Sequence, residues 1–335
     1  MSLGPLMIDL ESHTLSSQER ELLQHPLVGG VILFSRNYQS PNQLTTLTTE
    51  IHALRQPHLL IAVDQEGGRI QRFQEEFVKL PTMAQLGASY DCNHRQGLAQ
   101  AEQIGWLMAA ELRAVGVDFS FAPVLDLERG ISTVIGDRAF HANPEVVAKL
   151  AHAMMIGMRQ AGMTAVGKHF PGHGSIAADS HYAIPVDERR LVDLQFEDLI
   201  PFERMIHYGL AAIMPAHVIY PQVDTQPAGF SARWLQDILR KRYEFQGAIF
   251  SDDISMAAAA VAGDPLARTQ QALQAGCDMV LICNDRTAVI QVIDNLGNYN
   301  SPTSQVRFMR LHGRAALDWK SLHADEKWLS VNCEL

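Results

Sequence analysis

The stretch Lys168-His169-Phe170-Pro171-Gly172-His173-Gly174, followed shortly by Asp179-Ser180-His181, gathers one cation, three imidazoles and one carboxylate. A carboxylate two residues from an imidazole can hold its tautomer and favour the imidazolium form. That pairing makes a proton donor usable near neutral pH. The cluster begins where the apolar run Ala165-Val166-Gly167 stops, so its polar groups stand on a glycine-punctuated loop at a strand end. Such a loop can grip a polar ligand and hand it a proton. A lone histidine is most often a packing or capping residue, but that reading fits the cluster poorly.

The elements that must position these groups are legible as eight short apolar runs. They are Leu6–Leu10, Gly30–Phe34, Leu59–Asp64, Phe119–Asp126, Ala165–His169, Ala211–His217, Ala248–Asp252 and Asp278–Cys283. The runs are continuous instead of alternating, which suits strands of a parallel sheet buried on both faces. Helical patterning fills the gaps. Ile104, Leu107, Met108, Leu112 and Val115 recur at three- and four-residue spacing before Gly116. Asn143-Pro144 reads as a cap and first helical position, followed by the stripe Val147, Leu150, Met154 and Met158 and a stop at Gly162. Ser231 precedes the stripe Trp234, Leu235, Ile238 and Leu239, and Asp264-Pro265 opens a helix that ends at Gly276.

Eight strand–helix units predict an α/β fold, a (β/α)8 TIM-type barrel in a single domain over residues 1–335. A final helix and tail from about residue 301 carry Trp319 and Trp328. A doubly wound sheet is the alternative, but the Gly-x-Gly-x-x-Gly expected after its first strand is missing.

In a barrel of this type the active site lies at the C-terminal strand ends. Asp9, Asp64, Asp126, Lys168-His169, His217 and Asp252-Asp253 stand there. Placing so many ionisable groups after apolar runs is costly without a use. Three segments add detail: Asp64-Gln65-Glu66-Gly67-Gly68-Arg69-Ile70-Gln71-Arg72, Gly136-Asp137-Arg138, and Ser251-Asp252-Asp253. The Gly-Gly turn lets backbone approach a ligand, while a carboxylate and an arginine can bracket sugar hydroxyls.

Bulk properties narrow the classes. The formal charge is −10 and no Lys/Arg block occurs, so neither nucleic acid nor a membrane surface is expected as a partner. Cys92, Cys277, Cys283 and Cys333 show no Cys-x-x-Cys spacing, and no His-Glu-x-x-His appears, so no metal is expected. With no basic leader and no apolar run of about 20 residues, a cytoplasmic location is expected.

These motifs, in this order from about Leu6 to Met256, are similar to those of the β-N-acetylglucosaminidases of glycoside hydrolase family 3. The chain resembles their single-domain, cytosolic form from Gram-negative bacteria. On this resemblance no second C-terminal domain of the kind found in two-domain members is expected, and the chain carries Ser175 where they usually have Asp.

The resemblance implies that Asp252 is the nucleophile, His181 the general acid/base and Asp179 its orienting partner. It implies that Asp64, Arg72, Arg138, Lys168 and His169 grip the sugar. The implied reaction is exo-acting, retaining hydrolysis of the β-1,4 bond between N-acetylglucosamine and 1,6-anhydro-N-acetylmuramic acid, in muropeptides of peptidoglycan recycling. No cofactor is implied, the partner is an oligosaccharide substrate, and a monomer is expected. Two other readings stay open on the residues alone. An N-acetylglucosaminide phosphorylase would pass the sugar to phosphate instead of water, and a metal-dependent barrel hydrolase would use a strand-end Asp with His217.

Overall fold

The computed structural model describes residues 2–176 and 185–333, so Asp179 and His181 lie outside the described residues. All eight apolar runs overlap parallel strands, numbered here β1 (Leu6–Asp9), β2 (Val28–Leu33), β3 (Leu60–Val63), β4 (Phe119–Ser120), β5 (Val166–Phe170), β6 (Ala212–Pro215), β7 (Ala248–Ile249) and β8 (Val280–Ile282). They form a five-stranded sheet ordered β8-β1-β2-β3-β4 and a three-stranded sheet ordered β7-β6-β5. Single parallel bridges, Val124 with Lys168 and Phe250 with Met279, lie at the two junctions.

β4 is shorter than the run Phe119–Asp126 suggests. Pro123 has no N–H to give to a ladder, and pairing resumes beyond it, where the Leu125 N–H donates to the Lys168 carbonyl at 2.6 Å. The chain therefore still delivers Asp126 beside β5.

The helices follow the caps. The Asn143 side chain accepts from the Glu145 N–H, Pro144 is the first residue of helix Pro144–Gln160, and Val147, Leu150, Met154 and Met158 are buried. Helix His94–Ala114 buries Ile104, Leu107, Met108 and Leu112, and Gly116 and Gly162 take φ of +85° and +81° where these two helices end. Asp264 caps helix Pro265–Ala275, and Ser231 Oγ accepts from the Trp234 N–H. One hydrophobic cluster runs from Leu3 to Val331.

The C-terminal stretch differs from the single helix and tail expected. It carries three short helices, Pro302–Phe308, Trp319–His323 and Glu326–Cys333. Ser301 and Asp318 cap the first two, each accepting from a backbone N–H three residues on. Phe77 packs on Trp319, with ring centroids 4.7 Å apart. Trp328 is buried, and its indole N–H donates to Glu111 at 3.2 Å.

Glu111 is itself buried. Burial pushes its carboxyl up to about 7, against the N–H donors of Val78 and Trp328. A carboxyl raised in the fold contributes stability that is full below its unfolded value, near 4.5, and is lost as pH rises through about 7. Glu111→Gln should therefore stabilise the protein at pH 8 by on the order of 2 kcal/mol, and change it little at pH 4.5. Paired thermal melts check this, and an equal shift at both pH values would count against it.

Candidate active site

Asp64 follows β3 directly. The next residues double back as a hairpin, Gln65–Gly67 against Ile70–Gln71. Its turn depends on glycine: Gly67 has φ +116°, and a Cβ there would lie 2.3 Å from the Pro81 carbonyl. The Gln65 side chain closes the loop, donating to the Phe73 carbonyl at 3.0 Å and accepting from its N–H at 3.1 Å. This hairpin sets Glu66 and Arg72 beside Asp64. A short 3-10 turn, Gly136–Arg138, brings in Arg138. Lys168 and His169 lie in the last three residues of β5, and Asp252 stands beyond β7.

A cavity of about 200 Å³ gathers Asp64, Arg72, Arg138, Lys168, His169 and Asp252. Lys168 Nζ lies 2.7 Å from Asp64 Oδ1 and 2.6 Å from Glu66 Oε1. Arg138 grips Glu66 with two parallel bonds, both 2.8 Å, a fork that fixes direction as well as charge. Arg72 stands 3.5 Å from Asp64. Burial works against the Glu66 carboxylate, but Arg138 and Lys168 outweigh it and hold it well below the usual range. Asp64 is likewise held low by Lys168 and Arg72 against its burial. Arg138 is paired with Glu66 and not with its neighbour Asp137, which faces Arg69 at 3.5 Å.

Asp126 is the support beneath. It is fully desolvated, yet the facing His169 keeps its carboxyl below the normal range. It accepts from His169 Nδ1 at 2.7 Å, from the His169 N–H, and from the His173 N–H at 2.7 Å. One carboxylate thus sets the His169 ring and the backbone of the following turn.

The two adjacent carboxylates after β7 have different duties. Asp253 accepts from the Ser255 and Cys283 N–H groups and from the Ser255 hydroxyl, and burial pushes it up to about 6. Asp252 Oδ1 accepts from the Asp253 N–H at 2.8 Å, while Oδ2 has no hydrogen-bond partner among the described residues. Asp253 ties down the turn and Asp252 keeps an oxygen for the cavity. His217 is buried below, donating from Nε2 to the Asp253 carbonyl at 3.1 Å. Burial lowers its pKa, so it is neutral near pH 7.

Asp9 stands apart from this cavity, paired with Arg36 and accepting from the Asn284 N–H. Sequence reasoning placed Asp126 among the strand-end groups without giving it a role, and did not single out Glu66. Their signals were present: a carboxylate inside the Asp-Gln-Glu-Gly-Gly-Arg motif, and another at the end of an apolar run. A larger hollow of about 620 Å³ opens at the opposite strand ends, near Ala165, Ala211 and Gly247. Glu244 is its single carboxylate, among Arg159, Arg310, Arg314 and His312, and none of the strand-end groups Asp64, Lys168, His169 or Asp252 reaches it.

Residues 6–310 match the N-terminal domain of glycosyl hydrolase family 3. The chain belongs to glycosyl hydrolase family 3. A relative, the beta-hexosaminidase of Thioalkalivibrio sulfidiphilus, is 59% identical over 328 residues, spanning 98% of this chain and 94% of its own. The beta-hexosaminidase of Hydrogenovibrio crunogenus is 56% identical over 330 residues, spanning 98% and 92%. Among solved structures, NagZ from Neisseria gonorrhoeae in complex with N-trifluoroacetyl-D-glucosamine superposes with a TM-score of 0.95 at 44% identity, covering 100% of this chain and 97% of that one. In this family 3 enzyme no described helix is long and apolar enough to cross a membrane.

Proposed function

We propose that this family 3 β-hexosaminidase is an exo-acting, retaining β-N-acetylglucosaminidase. Its substrates are 1,6-anhydro-N-acetylmuramic acid-containing muropeptides, from which it removes the terminal β-1,4-linked N-acetylglucosamine in cytoplasmic peptidoglycan recycling. It works as a single-domain monomer, and its chemistry calls for no cofactor. The two sheets make one (β/α)8 barrel in this reading, supported by the bridges that pair Val124 with Lys168 and Phe250 with Met279.

The observation that carries the mechanism is the Asp252 oxygen with no hydrogen-bond partner among the described residues, beside Asp64, Arg72, Arg138, Lys168 and His169 in one small cavity. Asp252 Oδ2 attacks the anomeric carbon as the bond to the leaving oxygen breaks, and His181, oriented by Asp179, gives that oxygen its proton. Water then attacks the anomeric carbon from the vacated side as its bond to Asp252 Oδ2 breaks, which frees the carboxylate, and His181 takes the proton that the water loses. Two inversions give retention. Asp64, Arg72, Arg138, Lys168 and His169 hold the sugar hydroxyls. The ion-paired array is assembled before the sugar arrives, so little ordering is left for the binding step. A cavity of about 200 Å³ suits one terminal ring and not a running glycan strand, which favours exo action.

The test is product analysis on anhydro-muropeptides and on a chito-oligosaccharide series, sampled early in phosphate buffer. Free N-acetylglucosamine, released first as the β-anomer and one unit per chain, is expected. N-acetylglucosamine 1-phosphate would mark a phosphorylase, and early mid-length fragments would mark an endo enzyme.

A further inference from the structure

We infer that the imidazole of His173 reads the acetamido group at C2 of the bound sugar. This rests on Asp252 being the nucleophile, as proposed above. His173 is 3% exposed and lines the same cavity as Asp252 and His169. Neither of its ring nitrogens has a hydrogen-bond partner among the described residues. A buried polar group left in that state is destabilising, so the fold carries a cost here that a ligand would relieve.

The position of the ring is fixed independently of any ligand. Its backbone N–H donates to Asp126 at 2.7 Å. The Tyr220 hydroxyl donates to the carbonyl of Gly172. Gly172 has φ +136°, and a Cβ at Gly174 would fall 1.9 Å from the Leu127 carbonyl oxygen. Glycines on both sides thus let the chain press against Asp198 and Leu127 and hold the imidazole over the cavity.

The chemistry of the ring complements the other grips. Lys168, Arg72 and Arg138 can only donate, Asp64 and Glu66 can only accept when ionised, and all five are engaged with one another. Burial lowers the His173 pKa, so the ring is neutral and offers one N–H and one lone pair. A secondary amide presents the matching pair, a carbonyl acceptor and an N–H donor, without charge. Asp252 and the ring line one and the same cavity. An Asp252 that attacks C1 therefore brings the C2 substituent to the same end of the cavity.

Rates on two 4-nitrophenyl β-glycosides that differ only at C2, acetamido against hydroxyl, test this in wild type, His173→Ala and His173→Gln. His173→Ala should lower kcat/KM on the acetamido substrate by on the order of 10²-fold and on the hydroxyl substrate by less than about threefold. His173→Gln keeps a donor and an acceptor, and should recover part of the acetamido rate. It carries the comparison if the alanine variant melts early. Equal losses on both substrates would overturn the inference, since proton transfer and packing serve both alike, and so would no loss on either. A wild-type enzyme inert towards the acetamido glycoside would instead overturn the proposed function.

Discussion

Asp252→Asn is expected to remove nearly all turnover, by a factor on the order of 10³ or more, while the protein melts close to wild type. The amide oxygen can still accept from the Asp253 N–H, so the bond that shapes the turn survives. What disappears is the anionic oxygen that forms the glycosyl ester in the proposed mechanism. Asp253→Asn should behave in the opposite way. Its carboxylate accepts from two backbone N–H groups and one hydroxyl, so its loss should lower the melting temperature more than the rate. Steady-state kinetics and thermal melts on both variants decide the assignment. An active Asp252→Asn with a folded but inactive Asp253→Asn would show that the neighbouring carboxylate does the chemistry.

Lys168→Met should be the most damaging change to stability, costing about 3–5 kcal/mol at neutral pH, and should also remove most activity. The lysine is buried with Glu66 and bridges it to Asp64. Without it, two carboxylates share a site with only the arginines to offset them. The pH dependence has a definite sign. Both carboxyls are held below their usual range in the fold, so their contribution is present above the unfolded value near 4 and is lost as pH falls through the folded one. In the variant they protonate more readily, and its deficit should shrink as the pH drops from 7 towards 4.5. Denaturant titrations across that range measure it. A deficit independent of pH would mean that lost packing dominates, with the charge playing little part.

Much of this architecture was legible because its causes are local. Asn143-Pro144, Asp264-Pro265 and Ser231 announce helix starts through their own hydrogen bonds, and each caps as its residue type demands. The apolar runs likewise mark strands, because a strand buried on both faces has no polar position to spare. Strand length was less legible. Phe119–Asp126 reads as one run, but Pro123 interrupts the ladder. The C-terminal helices were harder still: each is too short to show a periodic stripe, and their order comes from distant partners, Glu111 for Trp328 and Phe77 for Trp319.

For the site, strand-end position marked Asp64, Lys168, His169 and Asp252, the loop motifs and the family resemblance added Arg72 and Arg138, and the fold gathers all six in one cavity. The pairings among them were not legible. That Arg138 faces Glu66 and not Asp137, or that Asp126 supports both His169 and His173, depends on which loops meet across the sheet. Sequence spacing does not encode that.

The pairing of β1 with β8 bears on how the chain is made. Leu6, Met7 and Ile8 lie in register with Val280, Leu281 and Ile282. Leu3 exchanges two hydrogen bonds with the Gln305 side chain, a partner 302 residues away. On a ribosome the first strand is synthesised long before either partner. One of its edges can pair early with β2, while the other stays unpaired until nearly the whole chain has emerged. Such long-range closure is slow and leaves an apolar edge open to other chains in the meantime. Nascent chains arrested before residue 280 should therefore be the ones that bind chaperones and aggregate, and release of the last helices should be the step that frees them.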